Sequence, residues 1–164
     1  MIRKLSAAFF AACVFAAPAL AQSDSTPTVK DQNGCKVYNP LPQEDETVKW
    51  SGACRGGYID GKGVLEWHIR GRLEERYEGD MKNGWAEGVG TFVSRQGMRY
   101  QGEWKRSQQD GKGVSQGADG SAYDGEWRAG KPHGWGTFTR PDGESITGEW
   151  EDGELKSESN ARRI

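Results

Sequence analysis

From Tyr77 onward, large and small residues alternate with a period of two. Tyr123, Gly125 and Trp127 fall on one side of an extended segment, with Asp124 and Glu126 on the other. A second segment alternates Gly134, Gly136 and Phe138 with Trp135 and Thr137. Arg128 to His133, with Gly130 and Pro132, has the composition of a turn. Ala118-Asp119-Gly120 and Pro141-Asp142-Gly143 mark turns before the next unit. The pattern predicts β-hairpins. A single hairpin is marginal in water, so the units are expected to pair edge to edge into one continuous antiparallel sheet.

The unit recurs. Tyr77, Tyr100, Tyr123 and Ile146 head copies spaced 23 residues apart, the last one partial. A degenerate first copy runs from Trp50-Ser51-Gly52-Ala53-Cys54 through Gly61-Lys62-Gly63, with 27 residues to the next. The four extra residues fall between Trp67 and Arg76, where they are expected to lengthen the turn. The ring-bearing side carries little Leu, Ile or Val, so the glycines are read as seats on which neighbouring rings lie. The opposite side carries Glu78, Asp80, Gln101, Glu103, Asp124, Glu126, Thr147 and Glu149 and is expected to be wet, with Lys62 and Lys112 for cross-strand pairing.

Tyr-x-Gly-x-Trp-x-x-Gly, three residues, then Gly-x-Gly-x-Phe at this period resembles the MORN repeat (membrane occupation and recognition nexus). The resemblance implies an all-β fold, an elongated single-layer antiparallel sheet of tandem hairpins. Repeats are assigned to 50–76, 77–99, 100–122 and 123–145, with a partial copy at 146–153. Met81 and Cys54 replace the first-strand aromatic, Ser107 replaces a glycine and Ser115 a phenylalanine. Repeat 100–122 is therefore expected to be the softest.

The flanks have a different character. Residues 1–21 read as a secretory signal: Arg3 and Lys4, then a mostly apolar stretch, then Ala19-Leu20-Ala21. The run is short for a membrane span, and Phe10-Ala11-Ala12-Cys13 is a poor lipidation motif. Cleavage after Ala21 would place the protein in the periplasm or outside the cell, the secreted bacterial type. Residues 22–34 read as a flexible polar leader. Residues 35–49, with Pro40 and Pro42, read as an extended N-terminal cap. Residues 154–164 form a charged tail, with disorder or a short helix expected. Cleavage would remove two of the 22 basic residues and none of the 24 acidic ones, leaving a net charge of −4. Nothing in that balance suggests nucleic acid or an anionic membrane as partner.

The two remaining cysteines, Cys35 and Cys54, read as a disulfide in an oxidising compartment. Closing a loop of ~20 residues is worth roughly 3 kcal/mol in the chain-entropy model. Cys54 stands where later repeats carry Trp104, Trp127 and Trp150. The bridge is thus expected to hold the cap across the ring side.

Candidate chemistry is sparse. His68 and His133 are the only histidines, and neither has the partners of a metal or triad site. The repeated acids belong to the repeat, and no Gly-x-Gly opens a helix, so no cofactor, metal or catalytic residue is expected. What remains is an aromatic stripe: Tyr77, Phe92, Tyr100, Trp104, Tyr123, Trp127, Phe138 and Trp150, with Trp50 at its start. The stripe is either the core or an open binding groove. Trp135 breaks the alternation and is a separate candidate contact on the polar side. The expectation is a non-enzymatic interaction or scaffold module that binds a protein through the ring side or a sheet edge. The alternatives are a cell-wall glycan stacked on Trp and Tyr and, more weakly, a lipid headgroup.

Overall fold

The computed structural model describes residues 27–159, and the signal-peptide reading of residues 1–21 lies outside them. The described residues form one open sheet of thirteen strands with no helix. Four short strands lead in: β1 (Thr28–Lys30), β2 (Lys36–Tyr38), β3 (Glu46–Trp50) and β4 (Ala53–Arg55). Then come β5 (Tyr58–Ile69), β6 (Arg72–Lys82), β7 (Trp85–Ser94), β8 (Arg99–Lys105) and β9 (Gln108–Gln116). β10 (Ala122–Arg128), β11 (Lys131–Thr139), β12 (Ser145–Glu151) and β13 (Glu154–Glu158) follow. From β5 to β13 every strand is antiparallel to the next, as the alternation predicts.

Register follows from one row of glycines. Gly63, Gly79, Gly90, Gly102, Gly113, Gly125, Gly136 and Gly148 pair in succession across eight strands. Tyr77, Tyr100 and Tyr123 each lie on two of them. A Cβ on Gly136 would lie 2.2 Å from the Tyr123 hydroxyl oxygen, and one on Gly113 would lie 2.3 Å from that of Tyr100. Trp50 takes the tyrosine's place in the first copy, over Gly52 and Gly63. These glycines are seats for rings.

The first glycine of each Gly-x-Gly pair corrects the simple alternation. The register of β10 with β11 shifts between Gly125 and Trp127, and Gly134 sits in that bulge with φ +66°. A Cβ there would lie 2.6 Å from the Glu126 carboxylate, so Gly134 faces the acidic side and not the rings. Gly111 repeats the arrangement against Glu103, whose carboxylate accepts the Lys112 N–H at 2.9 Å. The bulge adds residues to one strand, which period-two counting cannot register.

Both residues of the Asn83-Gly84, Arg106-Ser107, Ala129-Gly130 and Asp152-Gly153 turns have positive φ. This is the two-residue turn whose twist suits a hairpin. The N–H of the second turn residue donates to the preceding hairpin: Gly84 to Ile59, Ser107 to Ala86, Gly130 to Gln109 and Gly153 to Pro132, all between 2.9 and 3.0 Å. The four turns therefore present the same geometry along one edge of the sheet.

The flanks correct three expectations. The extra residues of the first repeat extend the strands and not the turn: β5 and β6 run on to a tight turn at Arg70-Gly71. The added length gives β3 a strand to pair with, from Glu46 opposite Ile69 to Trp50 opposite Leu65. The residues read as a flexible leader contain β1, paired with β2, and a buried Asp31 whose carboxylate accepts the Cys35 N–H at 2.8 Å. The first residues of the tail form β13, paired with β12.

The Cys35–Cys54 disulfide is present. Cys54 pairs with the fully buried Ile59, as Trp104 pairs with Gln109 and Trp127 with Pro132, so it stands in the row of first-strand tryptophans. Beside Cys35, the cap residue Val37 closes over Leu65, Tyr77, Met81 and Phe92 and leaves a cavity of only about 20 Å³.

Candidate functional site

The predicted stripe is the core. Tyr77, Tyr100, Tyr123, Trp104, Trp127 and Trp150 are 0–7% exposed, Phe92 is buried, and Phe138 packs partly buried against them. The rings alternate edge to face in the order Tyr77, Trp104, Tyr100, Trp127, Tyr123, Trp150, with centroids 5.0–5.4 Å apart and planes 83–90° from parallel. Their polar atoms are satisfied internally. Each tryptophan N–H donates to a glycine carbonyl of the preceding repeat: Trp104 to Gly90, Trp127 to Gly113 and Trp150 to Gly136, at 3.0–3.1 Å. The tyrosine hydroxyls donate to the carbonyls of Asp80, Glu103 and Glu126 at 3.0–3.2 Å. Burial pushes the Tyr123 phenol up to about 12, helped by Glu126 and Asp124, and raises Tyr77 as well. Edge-to-face packing fills the space between tyrosines with a tryptophan, so no ring face is left to line an open groove.

Repeat 100–122 keeps this packing. The Ser107 hydroxyl accepts the Ala86 N–H at 3.0 Å, so only Ser115 marks a deficit. It is buried where Phe92 and Phe138 stand in the neighbouring copies, and its hydroxyl has no partner.

A second aromatic group lies at the turn edge. β2 crosses the ends of the first two hairpins there. The Lys36 N–H donates to the Gly57 carbonyl at 2.9 Å and the Tyr38 N–H to the Gly84 carbonyl at 3.2 Å. Alternation along β2 sends Val37 into the core and leaves Tyr38 outward. The Tyr38 ring stacks on Trp85 at 4.1 Å and 10°, and on Tyr58 at 5.5 Å and 17°. Lys36 Nζ stands 5.5 Å from the Tyr58 ring centre. All three rings are half-buried.

Beside the stack opens a cleft of about 530 Å³, lined by Tyr38, Tyr58, Lys82, Trp85, Glu87 and Arg106 among others. Two exposed cations face one carboxylate there, and that carboxylate is engaged: Glu87 accepts the Arg106 N–H at 3.1 Å. The cleft can offer a ring face, amide and hydroxyl groups, and an excess of positive charge.

Trp135 lies on the outer face opposite Glu149 and is 54% exposed, as its break in the alternation predicts. His68 is 3.7 Å from Glu66 on the long hairpin, well away from the cleft residues in register. Sequence reading missed Tyr38, Tyr58 and Trp85. Tyr58 and Trp85 share one repeat position, directly after a turn glycine, but Gln108 and Lys131 hold it in the next two copies, and Tyr38 comes from β2 outside the repeat. The available signal was two aromatics, Tyr58 and Trp85, each directly following a glycine turn, Gly56-Gly57 and Asn83-Gly84.

Compared with known protein families, residues 52–72, 77–99, 100–122 and 123–145 match the MORN repeat. A search of curated proteins found no match.

Proposed function

The chain belongs to the MORN-repeat family, and from that premise we propose that it is a non-catalytic protein-interaction module of the cell envelope. MORN repeats are generally interaction modules for proteins and lipids. The disulfide points to an oxidising compartment. Periplasmic or secreted placement in a bacterium agrees with the leader read at residues 1–21.

One observation carries the reading. The stack of Tyr38, Trp85 and Tyr58 is half-buried and borders a cleft, while the long ring series is sealed. Partly exposed aromatics and arginine, here with Arg106 in the cleft, are what partner surfaces are enriched in. The binding site is therefore assigned to the turn edge and not to the ring side. A glycan is the second reading, because a flat indole beside polar groups also suits a sugar ring.

The test is capture from envelope extract, run beside co-sedimentation with peptidoglycan and with anionic liposomes. One stoichiometric protein partner is expected, lost in Trp85→Ala while circular dichroism is unchanged. Peptidoglycan or liposome binding that Trp85→Ala abolishes, without a protein partner, overturns the reading.

A further inference from the structure

The turn edge is a repeated surface, and the protein occupies only part of it. β2 is seated there by its own backbone: two residues apart, Lys36 and Tyr38 donate to the carbonyls of Gly57 and Gly84, the second residues of successive turns. Ser107 and Gly130 hold the same position in the next two hairpins, fixed by the same inter-repeat bond. Among the described residues no hydrogen bond reaches the Ser107 or Gly130 carbonyl. The chain leaves the edge at Asn39-Pro40, before it would reach them. The side-chain slot repeats as well. Tyr38 inserts between Tyr58 and Trp85, each of which follows a turn glycine. The next slot lies between Trp85 and Gln108, and the cleft, which reaches from Gly56 and Tyr58 to Arg106, borders it at Trp85.

Charge gives the occupant its character. Across the three turns Lys82–Trp85, Lys105–Gln108 and Arg128–Lys131 stand Lys82, Lys105, Arg106, Arg128 and Lys131, with no acidic residue among them. All five are exposed, and among the described residues none is in an ion pair. Three carboxylates stand beside these cations, each accepting a backbone N–H: Asp60 from Asn83, Glu87 from Arg106 and Asp110 from Ala129. Five cations against these three carboxylates leave the ridge positive in a chain of net negative charge. The following turn, Glu151–Glu154, is acidic and ends it.

We infer that the turn edge beyond Tyr38 seats an extended acidic segment of a partner protein, laid in line with β2. Its amides donate to the Ser107 and Gly130 carbonyls. Its acidic side chains face Arg106, Arg128 and Lys131, and an aromatic or aliphatic side chain enters the cleft against Trp85. β2 is the intramolecular precedent for this seat, and the segment adds backbone hydrogen bonds as edge-strand recognition does. The inference rests on the protein-interaction reading above and specifies its partner.

The probe is a short fluorescein-labelled peptide alternating Glu and Val with one central Tyr, titrated into the purified disulfide-bonded protein at physiological salt. Binding by anisotropy is expected, with none for the peptide carrying Lys in place of Glu. Arg106→Glu with Arg128→Glu should weaken it at least about tenfold, with circular dichroism unchanged because both residues are exposed. N-methylation of alternate amides, which removes donors and keeps charge, should weaken it by a similar factor. Equal binding of polyglutamate, indifference to N-methylation or indifference to the double variant each overturns the seat. Capture of the same envelope partner by the double variant overturns this location and leaves the interaction reading standing. Failure to capture any partner, with the peptide still bound as predicted, does the reverse.

Discussion

The protein stacks aromatic rings in two places and in two ways. On the ring side, Tyr77 to Trp150 alternate edge to face, and each hydroxyl and indole N–H is bonded to backbone. At the turn edge, Tyr58, Tyr38 and Trp85 lie nearly parallel, over a cap strand and beside a cleft. The chemistry of the residues is the same. What differs is what lies beneath and beside them. Rings over glycines sink onto the backbone until the next tryptophan closes the gap, whereas the rings at the ends of hairpins stay half-buried, with Tyr38 held between Tyr58 and Trp85. The first arrangement consumes its aromatic area in folding, and the second leaves some of it for a partner.

Truncating a ring on each side is the sharpest way to break this comparison. Trp127→Ala removes a 5% exposed ring from between two tyrosines together with its bond to Gly113, and should cost about 3–5 kcal/mol in urea denaturation. Next, Gly136→Ala forces a methyl into the Tyr123 ring and should cost about 1–3 kcal/mol. Ser115→Phe restores the ring found in the neighbouring repeats and removes an unpaired hydroxyl. It should gain about 1 kcal/mol, read as a rise in Tm.

Alkali tests the ring side alone. The folded Tyr123 phenol titrates above its unfolded value, so its contribution is complete below pH ~10 and is lost as pH rises toward about 12. Tm should hold up to about pH 10 and then fall, and absorbance at 295 nm should show tyrosines ionising late, together with unfolding. Trp85→Ala, on a half-buried ring, should change stability least, by about 1 kcal/mol or less. If it costs as much as Trp127→Ala, the distinction between the two stacks is wrong.

Most of the fold was legible because the repeat states each rule several times. The alternation places Trp104, Trp127 and Trp150 in one row, and the structure pairs them equivalently. What was not legible was anything the period misstates. Gly134 sits in a bulge, which adds residues without changing composition. The extra residues at 67–76 read as turn because nothing in their sequence names β3 as a pairing partner. Thr28–Lys30 and Glu154–Glu158 look too polar to order, yet each borrows order from a neighbouring strand through backbone bonds, which polarity does not report. The candidate site was misplaced for a related reason. A stripe of rings announces its shared face but not its cover, and the cluster at Tyr38 depends on a crossing strand 20 residues away from Tyr58 in sequence.

The unbroken glycine row has a consequence for how such a chain can change in length. Because Gly63 through Gly148 pair directly from strand to strand, neighbouring hairpins are not offset. A whole 23-residue copy such as 100–122 can be duplicated or deleted and leave every remaining ring seated, whereas 77–99 carries Gly84 and Trp85, on which β2 and Tyr38 rest. Loss of a single residue within a strand would slide one glycine out of the row and leave a tyrosine with nowhere to lie. The gene can grow by whole copies while its reading within each copy stays rigidly constrained.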